Sequence, residues 1–128
     1  MAITEMNHFT VLTDDLERTR GFYVGLLGLR DGPRPPLGFP GAWLYAGERP
    51  VLHVIAGRAL PPERRGVLDH MAFSAKGLAD IAARFEAAGI AYELRRQAQS
   101  NVWQLFASDP NGARVELDFD ANESGPKP

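Results

Sequence analysis

The chain has 128 residues, no cysteine and a formal net charge of -2. That length suits one domain with a real core, and the missing thiol excludes disulfides, a cysteine nucleophile and cysteine-ligated metal. A pI near 5.9 speaks against nucleic acid or an anionic membrane surface as the main partner.

Apolar types make up 45% of the sequence, yet no apolar run approaches the roughly 20 residues a membrane span needs. The start, Met1-Ala2-Ile3-Thr4-Glu5, lacks the basic and apolar stretches of a secretory signal. The expectation is a cytoplasmic protein that acts on a small molecule, without nucleic acid or membrane as partner.

From Met6 to Thr13 the β-branched and apolar run predicts a strand. Asp14 and Glu17 have capping-box spacing, and Leu16, Tyr23, Leu26 and Leu27 share one side of the helix that follows. Gly28 stops it. Asp31 to Gly41 is dense in proline and glycine and reads as a loop, either a lid with Phe39 turned inward or a plain crossover. Strands follow at Ala42 to Ala46 and Val51 to Ile55, with a turn at Gly47-Glu48-Arg49-Pro50. Ala56 to Gly66, holding Arg58, Arg64 and Arg65, reads as a solvated linker.

The pattern then restarts. Val67 to Ser74 reads as a strand, and Leu78, Ile81, Ala82 and Phe85 form an amphipathic helix ended by Gly89. Three strands follow, at Ala91 to Arg95, Val102 to Ala107 and Arg114 to Phe119. Asp109-Pro110-Asn111-Gly112 makes the last turn, and Ala121 to Pro128 is a polar tail expected to fray.

Asn7-His8-Phe9-Thr10-Val11 aligns with Asp69-His70-Met71-Ala72-Phe73 at an offset of 62, which also pairs Leu16 with Leu78 and Tyr23 with Phe85. The expectation is one domain over residues 1–120, built of two modules at about 6–56 and 67–119, with a tail at 121–128. The repeat relates His8 to His70 and brings His53 to within one residue of Glu116. All three histidines of the chain fall in this set. Strand alternation puts Thr10 on the face of His8, Ser74 on that of His70, and Arg114 and Asp118 on that of Glu116. Two histidines and a carboxylate are a recognised divalent-metal set. His53 is open between fourth ligand, acid–base residue and packed strand residue. Thr10, Trp103 and Arg114 are candidate substrate contacts. Trp43, Tyr45 and Trp103 form either an aromatic wall or ordinary core.

These motifs, together with Phe22-Tyr23, Leu27-Gly28-Leu29 and Asp109-Pro110-Asn111-Gly112-Ala113-Arg114-Val115-Glu116-Leu117, resemble the glyoxalase/bleomycin-resistance/extradiol-dioxygenase group, the vicinal oxygen chelate superfamily. The resemblance implies an α+β fold of two tandem βαβββ modules forming a curved, cup-shaped mixed sheet with helices outside. It implies that His8, His70 and Glu116 are metal ligands, that His53 stands at the fourth ligand position, and that the chain is a homodimer. The implied cofactor is one divalent ion per site: zinc, nickel, manganese, cobalt or iron. The implied activity is a glyoxalase-like lyase or isomerase, in which the cation chelates vicinal oxygens of substrate and stabilises an enediolate, with Glu116 or His53 moving the proton. Iron-dependent ring cleavage, thiol addition to an epoxide antibiotic and metal-free drug binding of the bleomycin-resistance type are the alternatives.

Overall fold

Each half of the chain lays its first strand beside its last. The computed structural model describes residues 2–126, which form two compact units dividing between Pro62 and Glu63. In the first unit, β1 (Phe9–Thr13) leads into α1 (Leu16–Arg20), which continues as a π-helical segment (Gly21–Leu26). Three strands follow: β2 (Arg30–Gly32), β3 (Gly41–Ala46) and β4 (Arg49–Ala56), in sheet order β1-β4-β3-β2. The second unit repeats this with β5 (Met71–Ser74), α2 (Leu78–Ala87), β6 (Glu93–Arg96), β7 (Trp103–Ser108) and β8 (Arg114–Phe119), in order β5-β8-β7-β6. The pairs β1·β4 and β5·β8 are parallel and the others antiparallel. The chain is thus an α+β protein of two tandem βαβββ modules.

Period-two alternation decides which face of each sheet is dry. In the first unit Val11, Leu44, Leu52 and Val54 are buried together with Phe22 and Tyr23 of the helical segment. In the second, Leu105, Val115, Leu117 and Phe119 are buried, as are Leu78, Ile81, Ala82 and Phe85 of α2. The i, i+3, i+4, i+7 stripe read from the sequence is therefore the buried face of α2. The opposite faces carry the polar residues.

Several local features differ from the sequence reading. The helix cap is Asp15, not Asp14: its carboxylate accepts from the Arg18 backbone N–H at 3.1 Å. That places Arg18 three residues after the cap, so Glu17 cannot close the box. The buried Thr13 hydroxyl fixes this register, accepting from Asp15 N–H at 2.9 Å and meeting Thr19 Oγ1 at 2.9 Å. The proline-rich stretch contains a strand at its start, because Asp31 and Gly32 pair with Leu44 and Trp43. Phe39 does not turn inward; Arg34 donates to its carbonyl at 2.9 Å and lies over its ring. Strand structure begins later than expected, at Phe9 and Met71, and Val67 and Leu68 are fully exposed. Arg64 is not simply solvated, since it donates to the Asn111 carbonyl at 3.0 Å.

The tail is docked rather than frayed over its described residues. Gly77, the cap residue of α2, has a left-handed φ of 87° and no side chain to cap with. Glu123 supplies the cap, accepting from Gly77 N–H at 3.0 Å and Leu78 N–H at 2.7 Å. These are two of the donors a helix start leaves open, met by a carboxylate at the positive end of the helix.

Candidate functional site

In the second unit His70 stands just before β5, beside β8. Its Nδ1 is 2.7 Å from Asp69 Oδ2 and its Nε2 is 3.0 Å from Glu116 Oε1. A neutral imidazole carries one N–H. A ring flanked by two carboxylates therefore needs either a second proton or a cation at its other nitrogen. Asp69 holds the ring orientation, as carboxylates commonly do behind metal-ligating histidines. The hydrogen bond from His70 in turn holds the Asp69 carboxyl below its usual range, helped by the charges of His70, Arg65 and Arg114 against some desolvation.

Glu116 is buried, and its second oxygen accepts from Gln104 Nε2 at 3.2 Å. Asp118 lies on the same face, with a buried Oδ1 that has no hydrogen-bond partner among the described residues. Burial, then a hydrogen bond to Glu116 and the charge of Glu116, push the Asp118 carboxyl up to about 6, with His70 opposing. Two carboxyl groups this close on one face favour a shared proton, because each raises the cost of ionising the other.

The first unit repeats the motif with one change. His8 Nδ1 lies 2.6 Å from Asn7 Oδ1, so this ring is held by an amide where His70 is held by a carboxylate. With the amide oxygen facing Nδ1, Nε2 keeps its lone pair. His53 of β4 stacks on His8 (centroids 3.7 Å apart, planes at 13°) and on Trp43 of β3 (4.2 Å, 12°). Thr10 and Trp43 are its cross-strand neighbours. His53 Nε2 is buried without a hydrogen-bond partner among the described residues. Burial first, and then His8, lower the His53 pKa, with a backbone hydrogen bond at Pro50 opposing.

Among the described residues no three histidine, aspartate or glutamate side chains gather into a ready metal site. The four candidate donors come as two pairs, His8 with His53 and His70 with Glu116. The 3.0 Å separation of His70 Nε2 and Glu116 Oε1 suits neighbouring donors on one cation with bonds of about 2.0–2.2 Å. The stacked rings of His8 and His53 offer parallel rather than convergent lone pairs. The donor chemistry, imidazole nitrogen plus carboxylate with outer partners in place, fits a divalent cation.

Trp103 is set apart from this face. It pairs with Phe119, its indole N–H donates to the Glu123 carbonyl at 2.8 Å, and Arg96 covers its ring at 3.7 Å. The ring packs with the C-terminal segment, on the face opposite Glu116. Tyr45 donates to the Pro33 carbonyl and only Trp43 of the three aromatics reaches a candidate donor. Arg114 does lie on the Glu116 face, and Thr10 on the His53 face. The sequence reading missed Gln104, Asn7 and Asp69 as supporting residues. The signal for the last two was the repeat itself, which places an amide or carboxylate before each histidine.

Residues 5–117 match the profile of the Glyoxalase/Bleomycin resistance protein/Dioxygenase superfamily, and the chain belongs to that family. "Glyoxylase I 4" of Arabidopsis thaliana is 28% identical over 123 residues, covering 90% of this chain and 70% of that protein. A glyoxalase family protein from Bacillus anthracis superposes with a TM-score of 0.75 at 23% identity, covering 94% of this chain and 98% of that one. A genomically encoded fosfomycin resistance protein from Listeria monocytogenes superposes with a TM-score of 0.72 at 17% identity, covering 91% and 93%. No helix among the described residues is long and apolar enough to cross a membrane.

Proposed function

We propose that this chain is a metal-dependent enzyme of glyoxalase-like type, a lyase or isomerase acting on a small substrate with vicinal oxygens. The observation that carries the reading is His70, flanked by Asp69 and Glu116 in an arrangement that a cation at Nε2 would balance. The proposed donors are His70 and Glu116 within the second unit, and His8 with His53 is the corresponding candidate pair within the first. When bound, a divalent cation supplies a Lewis acid that steadies negative charge developing on substrate oxygens.

The remaining roles belong to the chain's own groups. Asp69 and Asn7 fix the tautomers of His70 and His8. Gln104 orients Glu116 through its second oxygen. His53, whose pKa is lowered and whose buried Nε2 has no hydrogen-bond partner among the described residues, is suited to accept a proton from substrate carbon if it does not ligate. Glu116 is the alternative base. The similarity to "Glyoxylase I 4" favours the glyoxalase-like reading. A cytoplasmic homodimer completes the reading, and sedimentation velocity tests the dimer.

The decisive experiment is elemental analysis of tag-free protein, reloaded in turn with zinc, nickel, manganese and iron, beside a His8→Ala, Glu116→Ala double variant. Near one metal per chain, lost in the variant, supports the reading. No metal in either sample after reloading overturns it. Activity of the loaded protein on hemithioacetals then tests the reaction class.

A further inference from the structure

A cavity of about 290 Å³ opens on the polar face of the second unit, lined in part by Tyr92, Glu93, Phe106, Ser108 and Arg114. That volume sits at the small end for ligand pockets and suits an acid of a few carbons. We propose that this cavity binds the carboxylate of a small organic acid, with Arg114 as the residue that holds it. The proposal deepens the reading above by naming a substrate class, and it rests on that reading only for the chelated end of the molecule.

Cross-strand partners share a face, so Arg114 opposes Ser108, and Glu116 opposes Phe106. Glu93 on β6 opposes Phe106 from the other side. Arg114 and Glu116 are two residues apart on one strand, about 6–7 Å along it. A molecule of a few bonds' length spans from one to the other.

Arg114 is held yet underused. Its guanidinium lies over the Phe106 ring at 4.6 Å, with Arg95 at 4.5 Å from the same ring. Phe106 thus carries two guanidinium groups and meets the His70 ring edge-on at 5.9 Å. An arginine has five N–H donors in a flat fork that matches a carboxylate. Arg114 Nε is buried with no hydrogen-bond partner among the described residues. Its ion pair runs to Glu93 Oε2 at 3.5 Å, and the Glu93 side chain is 69% exposed. With Arg114 22% exposed and its partner mostly in water, a contact of that length is a loose one. Glu93 therefore stands where a better-seated carboxylate belongs and swings into water when one arrives.

The test compares malate with lactate. Both offer an α-hydroxycarboxylate for chelation, and malate adds a second carboxylate a few bonds away. Titrations on metal-loaded and chelator-treated protein are followed by the amide chemical shifts of Phe106 and Arg114, with metal content measured on the same samples. Malate is expected to bind about 10–100-fold tighter than lactate, the range of a charge-assisted pair. Arg114→Gln removes the difference and Arg114→Lys keeps part of it, with circular dichroism confirming the fold. Equal affinities in the wild type, or a preference that survives Arg114→Gln, overturn the proposal. Malate-specific shifts in protein that takes up no metal uphold the carboxylate site while the metal reading falls.

Discussion

His70 Nε2 and Glu116 Oε1 lie 3.0 Å apart although 45 residues lie between them in sequence. The parallel pairing of β5 with β8 brings them together, since Ala72 stands opposite Glu116 and His70 precedes that strand. The contact is therefore a property of topology, and its chemistry is open to direct tests.

The first prediction concerns the support behind His70. Asp69→Asn keeps the shape of the side chain and removes its charge. Metal affinity is expected to fall about 10–100-fold, the usual cost of losing an outer partner of a ligating histidine. Glu116→Gln, which alters a donor itself, is expected to lose more. Competition with a chromogenic chelator measures both.

A second prediction follows from Asp118, whose carboxyl is raised to about 6. A carboxyl that binds its proton more tightly in the folded state stabilises the fold while protonated. That contribution is complete below the ordinary value near 4 and is lost as pH rises through about 6. In metal-free protein, Asp118→Asn should match wild type in thermal midpoint near pH 4 and exceed it at pH 7. A gap that does not widen with pH counts against the assignment. Divalent cation is expected to narrow the gap at pH 7.

His53 works in the opposite direction. Its lowered pKa means that the folded state resists the proton, so its contribution is present above about 6.5 and is lost as pH falls. Nuclear magnetic resonance titration of the three histidine rings checks this. His53 is expected to titrate below the ordinary histidine value, and His8→Ala to move it back toward that value.

The docked tail gives a stability prediction. Glu123→Ala removes the acceptor for Gly77 and Leu78 N–H and is expected to cost about 1–2 kcal/mol, the scale of a lost helix cap. Denaturant melts read it. Metal content per folded chain is expected to stay unchanged, which separates this variant from those at the site.

The fold was legible in the sequence because two signals agreed. The 62-residue offset repeated the order strand, helix, three strands, and alternation named the dry face of each strand. Short-range geometry was less legible. Asp14 and Asp15 compete for one cap, and only the Thr13–Thr19 contact decides between them. The site shows the same split. His8, His53, His70 and Glu116 announce themselves by type and repeat, whereas Gln104 against Trp103 is a question of hairpin register. The turn at residues 109–113 answers it by pairing Ser108 with Arg114, which puts Gln104 opposite Asp118 and sends Trp103 to the other face.

The order β1-β4-β3-β2, repeated as β5-β8-β7-β6, carries a consequence for how the chain is made. Among the described residues, the strand synthesised first in each unit has its one sheet neighbour in the strand synthesised last. A nascent first unit therefore carries an unpaired β1 until Ala56 has left the ribosome, and the second unit waits in the same way for Phe119. Each unit closes late and as a whole, and the first has all its strands before the second has begun its own. Ribosome-stalled chains long enough to expose β3 but not β4, and chains long enough to expose both, are expected to differ sharply in protease resistance.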